Sequence, residues 1–368
     1  MANNSETILE IDLSALEHNF NFLKSKILPL TKFLAVAKAY AYGSDAIHIA
    51  KKLETLNVDY FAVAYIKEGV QLRDAGIKTP ILVLHPQPSN FEILINNNLE
   101  PNLYSQRILD IFLKTVSEKN LKNYPVHLKF NTGLNRLGFN KQDIDLIAKT
   151  LKNREELEIV SIFSHLAASE DLNEKDFTLN QIEAFDRIGK EFNQKLNLKP
   201  FRHILNTSGI INYPHAQLDM VRCGIGLYGY GNTTEIDRIL RPVVTLKSAI
   251  SQIHIIKPNE SVGYNRKHVS NNTQKIATLP LGHADGIGRQ YGNGNTYVLV
   301  NGKKAYIVGN VCMDMIMIDV SDIECEEGDQ AIIFGKSLSA EKFSATANTI
   351  SYEILTGISQ RVKRIIKD

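Results

Sequence analysis

Residues 33–37 read FLAVA, an apolar run without polar alternation, and Lys38 follows it directly. A strand without alternation is typical of a parallel sheet, because helices cover both faces of such a sheet. Seven further candidate strands follow, and most are separated by stretches with helical periodicity, such as residues 66–75 and 179–192. The eight predicted strands are residues 33–37, 60–64, 81–84, 102–104, 126–129, 159–163, 203–205 and 218–222.

Eight β/α units within about 200 residues predict a (β/α)8 or TIM barrel in both count and length. An open, doubly wound sheet is the alternative, since periodicity alone does not separate the two architectures. No G-x-G-x-x-G motif follows an early strand, and its absence weakens the dinucleotide-binding form of that sheet.

A helix is predicted before the first of these strands. Ser14 and Glu17 have the spacing of a capping box. Apolar side chains then recur at helical spacing, at Leu16, Phe20, Leu23 and Ile27.

The pattern changes after about residue 241, where β-rich segments alternate with turns. Asn301-Gly302 lies between two of these segments and is a strong signal for a two-residue hairpin loop. A short helical stretch follows near Ser351. The sequence therefore predicts an α/β protein with an N-terminal (β/α)8 barrel at residues 1–240 and a C-terminal mostly-β domain at residues 241–368. The first ten residues or so are free to pack with the second domain.

The amino-acid composition indicates which class of molecule the protein binds. Of 368 residues, 43% are hydrophobic and 22% are charged, as is typical of a folded globular protein. The net charge of +2 gives no electrostatic reason to expect nucleic acid or an anionic membrane. A small metabolite is therefore the expected partner.

The three cysteines, Cys223, Cys312 and Cys325, are odd in number and have no C-x-x-C spacing. Neither a disulfide framework nor a metal site is indicated. No secretory signal pattern begins the chain, and no apolar run approaches the ~18 residues of a membrane span. We expect a cytoplasmic protein without a membrane partner.

Three features lie where a barrel carries its chemistry, at the carboxyl ends of strands. Lys38 follows the first strand and is either a solvated rim lysine or a Schiff-base lysine. The loops at residues 206–209 and 223–226 would offer N–H and O–H donors to a phosphate. Arg222, between them, is either a structural ion-pair residue or a contact for a ring nitrogen. Together these features predict pyridoxal 5′-phosphate (PLP) as a cofactor.

Residues 35–43, AVAKAYAYG, resemble the cofactor-lysine signature of the alanine racemases, the fold-type III PLP-dependent amino acid racemases. Further matching motifs follow in order and at similar spacing over nearly the whole chain. They are KFNTGLNRLGF at 129–139, SH at 164–165, RCGIGLYG at 222–229, VGY at 262–264, GHADG at 282–286 and VCMD at 311–314.

The resemblance implies an isomerase that interconverts L-alanine and D-alanine and supplies D-alanine for peptidoglycan. Lys38 would hold PLP and act as the base on one face of the substrate Cα, and Tyr264 would act on the opposite face. Arg136 would contact the PLP phenolic oxygen and the substrate carboxylate, and the Met313 N–H would complete the carboxylate site. Tyr264 and Met313 would reach the site from the partner subunit of a homodimer.

The other implied contacts are with the cofactor and with Tyr264. His165 and Arg222 would lie beside Tyr264, and Arg222 would face the pyridine nitrogen. A guanidinium has no proton to give that nitrogen, and this favours simple reprotonation of the substrate over transamination or decarboxylation. The phosphate would be held by Tyr42, Thr207, Gly224, Ile225 and Tyr352.

The chain also departs from the family pattern. Asn131 stands where the family usually has Asp, and His283 stands where it has a tyrosine that helps to form the gate of the substrate pocket. A racemase of wider range, acting on serine or larger amino acids, therefore stays open. So does carbamylation of Lys129, which occurs in the family. A non-catalytic PLP-binding protein is disfavoured by the second domain, and a fold-type III decarboxylase by Arg222.

Overall fold

Strand β1 (Thr7–Asp12) and helix α1 (Leu13–Lys24) are the first elements of the computed structural model, which describes residues 6–368. The N-cap of α1 is Asp12, whose carboxylate accepts a hydrogen bond from the Ala15 N–H at 2.7 Å. The Ser14 hydroxyl donates to the same carboxylate at 2.7 Å. The capping box predicted at Ser14 and Glu17 is therefore wrong, because the ionised carboxylate is the stronger acceptor for the first N–H groups of the helix.

Eight parallel strands form a nearly closed barrel, as the sequence predicted. They are β2 (Lys32–Val36), β3 (Tyr60–Val63), β4 (Ile81–Val83), β5 (Glu100–Leu103), β6 (Tyr124–Lys129), β7 (Leu157–Phe163), β8 (Phe201–His203) and β9 (Met220–Cys223). Each strand pairs with the next from β2 to β8, and β9 pairs with β2. No ladder joins β8 to β9, but two backbone hydrogen bonds link their segments, from Asp219 N–H to the Arg202 carbonyl at 3.1 Å and from Arg222 N–H to the Leu205 carbonyl at 3.0 Å.

Helices connect the strands. They are α2 (Lys38–Tyr42), α3 (Ala46–Thr55), α4 (Ile66–Asp74), α5 (Phe91–Asn96), α6 (Gln106–Glu118), α7 (Ile144–Leu151), α8 (Lys175–Leu196), α9 (Thr207–Asn212) and α10 (Thr234–Asp237).

Helix α6 shows why such segments are helical. The Ser105 hydroxyl caps its first turn, and Ile108, Phe112 and Val116 recur every four residues and are buried. Each such side chain contributes about 1.5–3 kcal/mol when it is fully buried. Among residues 6–368, no helix is both long and apolar enough to cross a membrane.

The C-terminal third is mostly β, again as predicted. Its elements are β10 (Val244–Ala249), β11 (Gln252–Ile256), β12 (Ser261–Val262), β13 (His268–Val269), β14 (Gln274–Leu279), β15 (Tyr297–Val300), β16 (Lys303–Val308), β17 (Ile316–Asp319), β18 (Gln330–Phe334), α11 (Ala340–Ala345), α12 (Ser351–Gly357) and β19 (Lys363–Lys367). The predicted hairpin is confirmed, since Asn301 and Gly302 join β15 to β16 with φ angles of 49° and 77°. Apart from β12 and β13, which pair with each other, these strands form one nine-stranded sheet together with β1, which lies between β10 and β19. The domain division between residues 240 and 241 stays a prediction.

Helix α2 is a left-handed turn. Residues 39–42 have φ angles between 53° and 56°, and Gly43 ends the turn with φ 80°. Left-handed backbone costs an L-residue about 1–2 kcal/mol, so contacts from elsewhere in the fold must hold this turn. Gly43 packs directly on helix α12, where a Cβ added to it would lie 1.9 Å from the Leu355 carbonyl oxygen.

We expect Gly43→Ala to destabilise the protein more than Gly76→Ala. Gly76 also has a positive φ, 93°, but a Cβ added there meets no atom within 4 Å. Gly76→Ala should therefore cost only the conformational term of about 1–2 kcal/mol. Gly43→Ala should cost roughly 1–3 kcal/mol more, because backbone cannot move aside as a flexible side chain does. Urea unfolding of both variants measures the difference, and equal losses would contradict the packing of Gly43 on α12.

Candidate active site

A cavity of about 670 Å³ lies at the carboxyl ends of the barrel strands. Nine of the eleven predicted site residues line it: Lys38, Tyr42, Arg136, His165, Thr207, Arg222, Gly224, Ile225 and Tyr352. Eight of the nine lie in or after five different strands of the barrel, so the ring of parallel strands brings them together, and Tyr352 joins them from helix α12. The other two, Tyr264 and Met313, do not line this cavity.

Lys38 is presented to the cavity by the left-handed turn. The Glu68 carboxylate accepts hydrogen bonds from Ala39 N–H at 2.6 Å and from Ala64 N–H at 2.7 Å, which ties the start of the turn to the next strand. Arg364, in the last strand, donates to the Gly43 carbonyl at 3.0 Å at the other end of the turn. Burial, and next the positive charge of Arg136, lower the pKa of Lys38 below its ordinary value. The neutral amine that a nucleophile requires is thereby favoured.

The lining of the cavity is rich in basic side chains. Lys38, Lys129, Arg136 and Arg222 all line it, whereas no Asp or Glu of residues 6–368 does. Burial, followed by the charges of Arg136 and Arg222, lowers the pKa of Lys129 to about 8. The unbalanced positive charge favours an anionic ligand.

Arg222 has one donor left for a ligand. Its Nη1 donates to His203 Nδ1 at 2.6 Å and to the His203 carbonyl at 3.3 Å. Its Nη2 donates to the carbonyls of Ser164 at 2.6 Å and Ile204 at 3.1 Å, and to His165 Nδ1 at 3.1 Å. The Nε–H has no hydrogen-bond partner within residues 6–368. Burial lowers the pKa of Arg222 to about 9, which still leaves the guanidinium charged at neutral pH.

His165 completes this group as a neutral imidazole. Burial, and next the charge of Arg222, lower its pKa well below the ordinary value. Because Nδ1 accepts from Arg222, the single ring proton of the neutral form lies on Nε2. His165 therefore offers an N–H donor at the cavity wall.

Two loops and two tyrosines form a cradle of hydrogen-bond donors. The Thr207 hydroxyl accepts from the N–H groups of Gly224 and Gly226, each at 3.3 Å, and so joins the loops after β8 and β9. Tyr42 lies so close that a Cβ added to Gly224 would be 2.3 Å from its hydroxyl oxygen. Burial raises the pKa of Tyr352 to about 12 and raises that of Tyr42 as well, so both hydroxyls keep their protons and can donate.

Tyr264 and Met313 lie in the mostly-β part of the chain with 71% and 59% of their surface exposed. Met313 is next to His283, since the N–H of Ala284 donates to the Met313 carbonyl at 3.0 Å and the N–H of His283 donates to the Cys312 carbonyl at 3.0 Å. A single chain thus leaves these residues away from its own cavity.

The comparisons with known proteins agree with this geometry. Residues 11–232 match the family described as "Alanine racemase, N-terminal domain", and residues 243–366 match "Alanine racemase, C-terminal domain". The chain belongs to the alanine racemase family. Among its curated relatives in that family, the alanine racemase of Halothermothrix orenii is 37% identical over 98% of this chain and 97% of its own. Alanine racemase 2 of Caldanaerobacter subterraneus is 36% identical over 98% of this chain and 94% of its own.

Solved structures of the alanine racemase family have the same fold. The Clostridium difficile alanine racemase superposes with a TM-score of 0.93 at 32% identity, over 99% of this chain and 96% of that one. The Bartonella henselae alanine racemase, with covalently bound pyridoxal phosphate, superposes with a TM-score of 0.90 at 31% identity, over 99% of this chain and 100% of that one.

Some residues of the cavity were missed by the sequence analysis. Tyr65 and His85 line it, with their ring centroids 5.9 Å apart, and Phe163 lies 5.3 Å below the Arg222 guanidinium. Tyr65 and His85 come two residues after the ends of β3 and β4. The rule that chemistry lies at the carboxyl ends of barrel strands would have found both.

Proposed function

We propose that the protein interconverts L-alanine and D-alanine with PLP as its cofactor. One observation carries the proposal: a single cavity joins a half-buried lysine, a cradle of hydroxyl and glycine groups, and an arginine with one N–H that has no partner among residues 6–368. These groups fit the aldehyde, the phosphate and the ring nitrogen of PLP, respectively. When bound, PLP withdraws electrons from the amino acid and makes its Cα proton acidic.

Different residues of this chain bind the cofactor, bind the substrate and transfer the proton. Lys38 holds the cofactor covalently and, when displaced by substrate, takes or returns the proton on one face of Cα. Arg136 binds the substrate carboxylate, while Tyr42, Thr207, Gly224, Ile225 and Tyr352 hold the phosphate. Arg222 orients the ring through Nε–H but transfers no proton, because a guanidinium does not give one up at neutral pH.

Tyr264 supplies the second base, and we propose that it does so from the other subunit of a homodimer. A proton removed from one face of Cα must be returned on the other, so racemisation by two bases needs a group opposite Lys38. Three apolar side chains of the same mostly-β region, Val269, Met313 and Met315, are also exposed. Such side chains on a single chain suit an interface with a second copy. Met313 would enter the partner's cavity with Tyr264 and place its N–H at the substrate carboxylate.

The role in the cell and the substrate range are part of the same proposal. The curated relatives that we compared are bacterial alanine racemases, which supports a role in supplying D-alanine for peptidoglycan. The cytoplasmic location stays a prediction from the sequence. His283 lies beside Met313, so it would approach the same substrate pocket, and a wider range that includes serine or larger amino acids is the second candidate function.

A chiral assay of the purified protein with PLP tests these alternatives. We expect L-alanine and D-alanine each to be converted to the same racemic mixture, and serine and lysine to react at least about tenfold more slowly. Comparable or faster reaction of serine or lysine would favour the wider range. PLP bound without any racemisation would favour a non-catalytic binding protein and overturn the proposal.

A further inference from the structure

A chain of buried polar side chains crosses the barrel, with one residue from each of five neighbouring strands. His127 Nε2 lies 2.7 Å from a Glu100 carboxylate oxygen, and His127 Nδ1 lies 2.6 Å from the Ser161 hydroxyl. That hydroxyl lies 2.9 Å from His203 Nε2, and His203 Nδ1 lies 2.6 Å from Arg222 Nη1. We call these five residues the polar chain.

The polar chain stands where barrels of this type place branched apolar side chains. His127, Ser161 and His203 have no exposed surface, and Glu100 and Arg222 are 8% and 4% exposed. Burying polar groups is costly unless every one of them is hydrogen-bonded. Here every link is made, so the cost is offset, and a fully bonded network fixes its members in one arrangement.

The positions of the protons along the polar chain are set by its end residues, Arg222, which only donates, and Glu100, which accepts. Arg222 can only donate, so His203 Nδ1 accepts and the ring proton of His203 lies on Nε2. His203 is neutral, because burial lowers its pKa well below the ordinary value. Its Nε2–H donates to Ser161, whose hydroxyl proton is then directed to His127 Nδ1. His127 Nε2–H donates to the Glu100 carboxylate at 2.7 Å. All four hydrogen bonds therefore point from Arg222 to Glu100.

Reversing the direction of the hydrogen bonds in the polar chain would displace Arg222. It would put a proton on His203 Nδ1, facing the Nη1–H of Arg222 at 2.6 Å, and the guanidinium would have to move. Arg222 makes no ion pair with any residue of 6–368, so its position depends on neutral acceptors such as His203 Nδ1. Its unpartnered Nε–H keeps its direction only while those acceptors stay in place.

We propose that Glu100, His127 and Ser161 are positioning residues for Arg222, although none of the three lines the cavity. By fixing His203 as the Nε2–H tautomer, they hold Arg222 with Nε–H available to the ring nitrogen of the cofactor. This inference rests on the proposed function, which supplies the ring nitrogen.

The first test reads the proton positions directly. In cofactor-free full-length protein labelled with ¹⁵N-histidine, we expect His203 to give the signals of a neutral Nε2–H tautomer at neutral pH. Single substitutions of the histidines assign the signals among the ten histidines of the chain. A His203 signal from a charged ring or from the Nδ1–H tautomer would overturn the inference.

The second test breaks the polar chain at Ser161 and compares two ligands. One ligand is 4′-deoxypyridoxine phosphate, which has the ring nitrogen and the phosphate but no aldehyde, and the other is inorganic phosphate. We expect Ser161→Ala to weaken binding of the first about tenfold and to leave binding of the second unchanged, because the phosphate cradle does not involve the polar chain. Thr178→Val is the matched control, since it removes a buried hydroxyl that has no hydrogen-bond partner. It should change neither affinity.

If Ser161 only stabilises the fold, Ser161→Ala should lower the affinity for both ligands to the same extent. If Ser161 has no role, the substitution should lower neither affinity. Either result overturns the inference.

If Ser161→Ala does not fold, Glu100→Gln provides the test, since it keeps the shape of the end group but replaces the acceptor-only carboxylate with a neutral amide. We expect Glu100→Gln to bind the ring ligand about threefold more weakly and inorganic phosphate as before. An unchanged ratio of the two affinities would contradict the inference. Wild-type protein that failed to bind the ring ligand would instead refute the proposed function.

Discussion

Lys38→Ala is expected to abolish the borohydride-reducible attachment of PLP and to lower racemisation by at least about 10³-fold, because both the covalent anchor and one of the two bases are lost. Mass spectrometry of peptides after borohydride reduction locates the adduct in the wild-type protein. The same measurement, with a chiral assay, shows whether the variant retains either property.

Lys129→Ala is the control for Lys38→Ala. Lys129 is a second lysine in the same cavity, is buried and has a lowered pKa, so its amine could compete for the aldehyde. It lacks, however, the left-handed turn by which Glu68 and Arg364 present Lys38. We expect the Lys129 variant to keep its adduct at Lys38, and an adduct that persists at Lys129 in Lys38→Ala would show that the wrong lysine was chosen.

Tyr264→Phe is expected to separate racemisation from proton exchange. Loss of one phenolic hydroxyl should slow racemisation about 10²–10⁴-fold, the usual contribution of a positioned acid or base. Exchange of the Cα hydrogen of D-alanine in D₂O should continue, because Lys38 still serves that face. Tyr306→Phe, which alters another exposed tyrosine of the mostly-β region, should leave both rates unchanged. Equal loss of exchange for both enantiomers would contradict the two-base mechanism.

The two variants together test where Tyr264 acts. If each site takes Lys38 from one subunit and Tyr264 from the other, a mixed dimer of Lys38→Ala and Tyr264→Phe contains one intact site and one doubly altered site. Random reassociation of equal amounts should then restore about one quarter of the wild-type activity. No restoration would indicate that both residues act within one chain or that the subunits do not exchange.

The barrel and much of the cavity could be predicted from the sequence because their signals are local. Strands such as β2 are buried on both faces and so lack polar alternation, and Asn301-Gly302 suits the positive φ angles of its turn. The order of the strands then places the residues that follow them at one edge.

The remaining features depend on contacts between distant parts of the chain. Residues 39–42 have no glycine to indicate a left-handed turn, and the turn is held by Glu68 and Arg364. The polar chain joins Glu100 to Arg222 through three other strands, and nothing near His127 or Ser161 in the sequence indicates their partners. Tyr264 is away from the cavity of its own chain, so only the resemblance to a family singled it out.

The contact of Arg364 with Gly43 also sets the order of events during synthesis. The last barrel strand ends at Cys223, whereas Arg364 lies in the last strand of the chain. At 5–20 residues per second, the ribosome adds the residues between Cys223 and Arg364 in about 7–28 s. We expect the nascent barrel to form first and the turn that carries Lys38 to be secured only after Arg364 has been synthesised and β19 has joined the sheet. A nascent chain without Arg364 would therefore lack a correctly presented lysine, and cofactor capture would wait for this contact.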